Sequence, residues 1–344
     1  MTSSSAQTSS PSREILALHD EAVAFDLHAD TTLLMGVGYD IAKRHAATHF
    51  GRPWHFGHLD LPRMVEGGLW GQFFGLVTFP VVTRGIARRC HRIVDRLERA
   101  VKANAGAIRL CRTAADVRAA RAAGLRAAMI GMEGAHSLEG RLENVEAFAK
   151  RGMRYLGLLH FSKNEAGFPA KGYGRDDARG LTPFGLDLVD ELQRLGVIVD
   201  LTHVNRLGFL DAVARARAPM ILSHTGVTGV TPHWRNADDD MLRAVAKTGG
   251  VAGVIFAPKF LGEDSIDMVV RHCRHIRDVA GEDTPALGSD FDGCVVPPRD
   301  LPDVSALPRL TEALLRGGFT EAQVMKLLGR NALRVVEAVA PKYT

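Results

Sequence analysis

Cysteine is scarce in this 344-residue chain, and the four present, Cys90, Cys111, Cys273 and Cys294, form no CxxC pair. That excludes a zinc ribbon or a redox dithiol and leaves no disulfide framework, so a reducing, cytoplasmic setting is expected. No secretory signal pattern opens the sequence, and no run of about 18 or more apolar residues could span a membrane as a helix. GxSxG and GxGxxG are both absent, which removes the serine elbow and the dinucleotide fingerprint. Charge of one sign is also lacking. Forty-three basic residues stand against 39 acidic ones, a formal charge of +4. No basic stripe stands out along the sequence, which argues against a nucleic-acid partner.

What the chain does have is a series of short apolar runs that break off at imidazoles and carboxylates. Eight can be marked, at residues 23–30, 71–79, 125–133, 154–161, 196–203, 219–225, 250–256 and 285–293. Such runs, without polar alternation, predict strands buried on both faces, as in parallel sheets covered by helices. Helical patterns lie between most of them. Ile86, Cys90, Ile93, Leu97 and Val101 recur at three- and four-residue steps, and Thr182 with Pro183 opens a helix that stops at Gly196. Asn205 and Asn236 are placed to cap two more. Helices over 307–316 and 320–339 close the chain, with Thr320 and Gln323 as a capping box.

Eight strands alternating with helices predict an α/β fold, a (β/α)8 TIM barrel of the metallo-dependent hydrolase type. We expect one catalytic domain over 13–344 behind a Ser/Thr-rich disordered leader at 1–12. The 31–70 stretch is long for a βα connection and predicts a lid over the barrel mouth or a dimer element.

In such barrels the C-terminal strand ends carry the chemistry. Here those ends supply His28, Asp30, Glu133, His160, His203, His224 and Asp290. His28 and Asp30, two apart on a strand, share a face and can grip one ion. Mixed imidazole and carboxylate donors suit zinc or a related first-row divalent ion. The supply exceeds what one ion needs. Two ions roughly 3.5–4 Å apart, bridged by Glu133, would use the surplus and hold a hydroxide nucleophile between them. Of Asp290 and Asp292 in GSDFDG one can be catalytic, and Asp292 reads as a turn cap with Gly293. His45, His49, His55 and His58 lack a strand pattern and read as solvated loop or lid residues, and His272 with His275 as a solvated helix face.

In combination these motifs resemble one family, membrane dipeptidase (renal dipeptidase), peptidase family M19. The likeness runs from FDLHAD through GMEG, LLHF, GLTPFG, VIVDLTHV, APMILSHT, RNADDDML and GSDFDG to NALRVVEAV. It implies that His28 and Asp30 bind one zinc, that His203 and His224 bind the other, and that Glu133 bridges them, giving two Zn2+ per chain. It also implies that His160 and Arg235 face the substrate and that Asp290 is the proton shuttle. The activity implied is hydrolysis of dipeptides to free amino acids, tolerant of a D residue at the C-terminal position. The partner implied is a small dipeptide, with no nucleic acid or membrane, and the assembly a homodimer. The mammalian pattern of secretion signal and lipid-anchor tail is not matched. Two rivals remain. Another amidohydrolase acting on a lactone or cyclic amide would typically show HxH on the first strand, where this chain has His28-Ala29-Asp30. A non-catalytic metal-binding barrel would lack a shuttle or an activating ligand, and here every such position is filled.

Overall fold

The structure, a computed structural model, describes residues 11–46, 56–79 and 84–344. Each of the eight apolar runs forms a strand of one closed parallel barrel. In chain order the strands are β1 (Ala24–Ala29), β2 (Leu69–Val77), β3 (Ile108–Leu110), β4 (Arg126–Glu133), β5 (Met153–Gly157), β6 (Ile198–Asp200), β7 (Ile221–Thr225), β8 (Val251–Val254) and β9 (Pro285–Leu287). Pairing of β2 with β4 and of β9 with β1 closes the ring, and β3 stays outside it, attached to the lower end of β4. The sequence does not reveal β3, because three residues whose burial falls from Ile108 to an exposed Arg109 carry too little pattern.

The seams of the barrel are unequal. β2 and β4 pair in unbroken register from Gly71–Ala127 to Val77–Glu133. The β6–β7 seam, by contrast, is registered only at Asp200–Ile221, and β1 pairs with β9 itself only at Asp26–Leu287, with one further bridge beyond the strand at Ala29–Phe291. Beneath the mouth the rings of Phe25, Phe73 and Tyr155 pack at 5.5 and 4.9 Å between centroids, an apolar floor.

Most expected helix signals hold. Ser12 caps the first helix, Arg13–Glu21, and residues 1–10 of the expected leader lie outside the described residues. Thr182, Asn205 and Thr320 accept backbone N–H groups at the starts of their helices, and Thr320 and Gln323 form the capping box. Asn236 caps nothing. The helix Asp239–Lys247 is capped by Asp238, the extended residue directly before it, whose carboxylate accepts from Met241 N, and Asn236 donates to Thr231 O and Phe260 O instead. The basic residues are also less scattered in space than in sequence. Arg89, Arg92, Arg96 and Arg99, at three- and four-residue steps on the helix Ile86–Ala103, line one wall of a cavity of about 720 Å³. That cavity holds none of the residues converging at the strand ends. No helix among the described residues is long and apolar enough to cross a membrane.

Candidate metal centre

Every strand-end residue singled out by the sequence arrives at one place. His28 and His224 lie on β1 and β7, Glu133 is the last residue of β4, and Asp30 follows β1. His160, His203 and Asp290 each stand three residues past β5, β6 and β9. All seven are buried. His203 and Asp290 take left-handed backbone (φ 69° and 60°), which turns their side chains back over the mouth. Strained conformations of this kind persist where surrounding contacts fix them, typically at functional sites.

Glu133 stands at the centre. Its Oε1 lies 3.1 Å from His203 Nε2 and 3.4 Å from His224 Nε2, while Oε2 lies 3.5 Å from His160 Nε2 and 4.0 Å from His28 Nε2. On the far side His28 Nε2 is 3.2 Å from Asp30 Oδ1 and 3.8 Å from Asp290 Oδ1. His203 and His224 bring their Nε2 atoms to 3.3 Å. Donor atoms held at roughly 2.0–2.1 Å by one tetrahedral ion lie about 3.3 Å from one another, so these spacings are those of ligand atoms around ions. His28 Nε2 and Asp30 Oδ1 are buried and, despite their closeness, not aligned as a hydrogen bond to each other or to any other described group. Buried polar atoms without partners demand one, and a cation between them supplies it. Gly75 leaves the necessary room, since a Cβ there would stand 2.5 Å from Asp30 Oδ1 and 3.0 Å from His28 Cε1.

The charges sort the imidazoles. Burial and the Arg235 guanidinium press His203 down to about 3. Burial, with His28 and Arg235, puts His224 well below the ordinary histidine value. Both are therefore neutral, as ligands must be. Burial acts against a proton on His28 too, but Asp30, Glu133 and Asp290 outweigh it and lift this group to about 10; the same three carboxylates attract a metal cation, whose binding displaces that proton. Asp290 is pushed well up by burial, with Asp30 and Glu133 adding like charge against the pull of His28 and Arg235.

The membrane dipeptidase family, peptidase family M19, matches residues 12–342 of the chain. The chain belongs to family M19. Among solved structures, dipeptidase AC, a metallopeptidase of family M19, is 32% identical with a TM-score of 0.80, covering 92% of this chain and 98% of that one. A metallopeptidase from Rhodobacter sphaeroides, liganded with a phosphinate mimic of the dipeptide L-Ala-D-Ala, is 31% identical at a TM-score of 0.78, covering 92% and 99%. The probable dipeptidase PvdM from Pseudomonas aeruginosa shares the fold at 20% identity and a TM-score of 0.87, covering 95% and 98%. This M19 protein is thus a metal-dependent dipeptidase.

Around the M19 centre stand groups that sequence reading misses. Tyr155, inside an apolar run, meets His28 Nδ1 through its hydroxyl at 2.6 Å. Asp200 and Ser223 lie behind His224, with His224 Nδ1 2.9 Å from Ser223 Oγ. Such outer partners orient metal-binding imidazoles. Arg235 is buried beside the centre and donates from Nη2 to His224 O at 2.6 Å. It lines a cavity of about 270 Å³ with His203, Thr225, His233 and Trp234.

Three expectations need correction. Asp292 is no simple turn cap: its carboxylate is fully buried and accepts from Thr31 Oγ1 and from the N–H groups of Gly57 and His58. For His58 the solvated half of the loop-or-lid reading goes and the lid alternative stays, since it is buried with its Nδ1 accepting from Asp292 N at 3.0 Å, while His45 is half-buried and stacks on Tyr39 at 3.8 Å. His49 and His55 lie outside the described residues. His272 is fully buried, accepting from Val227 N and donating to Leu261 O, while His275 pairs with Asp239 at 2.7 Å. Burial lowers His272 to about 4, which keeps it neutral as a tie between two loops. Partners 11 and 45 residues away explain why a helical wheel misreads it.

Proposed function

We propose that the chain is a zinc dipeptidase with two ions per protein, acting on L-Xaa-D-Xaa as well as L-Xaa-L-Xaa dipeptides. The observation that carries it is the split of Glu133, with one oxygen among His203 and His224 and the other toward His28 and His160. His28 and Asp30 would hold one ion, His203 and His224 the second, and Glu133 both. Zinc bound there lowers the pKa of a water toward neutrality and polarises the scissile carbonyl.

The remaining work falls to the chain's own side chains. His160, its Nε2 3.5 Å from the bridging carboxylate, donates to the carbonyl oxygen as charge develops on it. Asp290 takes the proton of the attacking water and hands it to the leaving amine as the C–N bond breaks. Arg235 pairs with the free carboxylate of the substrate, which restricts the enzyme to short peptides. Asp292, two residues from Asp290, ties Thr31, Gly57 and His58 to the end of β9, which supports reading the 31–70 segment as a lid. Tolerance of a C-terminal D residue rests on the likeness to the Rhodobacter sphaeroides enzyme, whose ligand mimics L-Ala-D-Ala.

Arg235→Lys tests the carboxylate reading. Lysine keeps the charge but loses the two-pronged geometry. We expect kcat/KM for L-Ala-D-Ala and L-Ala-L-Ala to fall about 10- to 100-fold, mostly through KM, the size of one charge-assisted contact. Unchanged kinetics on both dipeptides would remove Arg235 from substrate binding.

A further inference from the structure

The two thinnest seams of the barrel are mended in the same way. At β6–β7 the single registered residue, Asp200, reaches across and accepts from Ser223 N (3.0 Å) and Ser223 Oγ (2.6 Å), and also from Thr202 N (3.0 Å). At β1–β9 Asp26, the one residue of β1 in register with β9 itself, accepts from Ser289 N (2.8 Å) and Ser289 Oγ (2.6 Å). Each serine directly precedes a residue of the metal centre, His224 or Asp290. The seams differ in one respect. Ser223 Oγ also meets an imidazole, His224 Nδ1, at 2.9 Å, whereas Ser289 Oγ meets none and stands 3.2 Å from His28 O.

That difference fixes the direction of a relay. The Ser223 hydroxyl hydrogen is committed to Asp200 Oδ2, an acceptor already braced by Ser223 N and Thr202 N on its other oxygen. Its Oγ can then only accept, from Thr202 Oγ1 at 3.2 Å and from His224 at 2.9 Å, so the imidazole proton sits on Nδ1. We propose that Asp200, acting through Ser223, is a positioning residue that holds His224 in its Nδ1–H tautomer, leaving the Nε2 lone pair free toward Glu133. Asp26 is the matching staple without a tautomer to set.

Asp200→Asn reverses the relay at constant shape. The amide oxygen keeps the two backbone N–H groups, and the amide nitrogen donates to Ser223 Oγ. The serine hydrogen turns to His224 Nδ1, and the proton moves to Nε2, the wrong nitrogen for binding a metal. Nitrogen-15 NMR of the full chain, treated with chelator and checked for retained fold, reads this directly. We expect Nδ1–H in the unsubstituted protein, Nε2–H in Asp200→Asn, and Nδ1–H in the control Asp26→Asn. Should Asp200→Asn not fold, Ser223→Ala, which removes one hydroxyl, is expected to give a mixture of tautomers. Nε2–H in the unsubstituted protein, or Nδ1–H persisting in Asp200→Asn and Ser223→Ala, overturns the relay.

A second measurement, Zn2+ affinity by chelator competition, rests on the reading of His224 as a ligand. One of the two ions is expected to bind about 10- to 100-fold more weakly in Asp200→Asn. A tautomer switch with unaltered zinc affinity would leave the relay standing and take His224 out of the ligand set.

Discussion

Glu133→Gln is expected to give a folded barrel that keeps neither ion and hydrolyses no dipeptide. Glutamine has the shape of glutamate, so the β2–β4 seam that ends at Glu133 survives. The charge does not survive. Glu133 lies within 4.0 Å of four imidazoles, His28, His160, His203 and His224, and Arg235 adds a further cation beside them. Burial alone would raise Glu133, yet His160, His203, His224 and His28 hold it well below the usual carboxylate range, so it is ionised at any working pH. A neutral amide there leaves both halves of the centre one anion short. kcat/KM should fall on the order of 10^6-fold, as when a whole catalytic unit is removed. Elemental analysis should find the metal gone from both sites together. Retention of one full equivalent would mean that Glu133 serves a single ion.

Asp290→Asn should act differently, lowering kcat by about 10^2- to 10^4-fold while the metal content stays unchanged. Asn tolerates the left-handed backbone that Asp290 adopts, so the turn is preserved. Gly293 keeps the space that the side chain needs, because a Cβ at that position would stand 2.1 Å from Asp290 Oδ1. What is lost is the ability to take a proton. Asp290 Oδ1 stands 3.8 Å from His28 Nε2, farther than Asp30 at 3.2 Å. Since Glu133 Oε2, a proposed ligand, is itself 4.0 Å from His28 Nε2, distance does not separate the two roles, and the metal content of the variant does. Loss of an ion in this variant would make Asp290 a ligand and leave the shuttle to be found elsewhere.

The barrel and its mouth are legible in the sequence for one physical reason. Strands covered on both faces must be apolar throughout, so a histidine or carboxylate that ends such a run stands out, and seven of them mark the same rim. The likeness to the M19 motifs then supplies roles that spacing does not. What stays hidden depends on contacts across the fold. Asp200 and Ser223 sit inside apolar runs 23 residues apart, and their pairing appears only once β6 lies against β7. Asp292 and His58 are separated by 234 residues, so a local turn reading wins by default and is wrong. His272 looks solvated because helical periodicity says which face a residue is on but not which loops cover it. The arginine wall at 89–99 is likewise invisible until the helix stacks its steps on one side.

The central claim is that Glu133 binds two ions at once, and counting them tests it most directly. Elemental analysis of the purified full chain, alongside hydrolysis of L-Ala-D-Ala before and after chelator treatment, should give about two zincs per chain. Turnover should vanish with the ions and return with added Zn2+. A single tightly held ion in fully active enzyme would contradict the bridged centre.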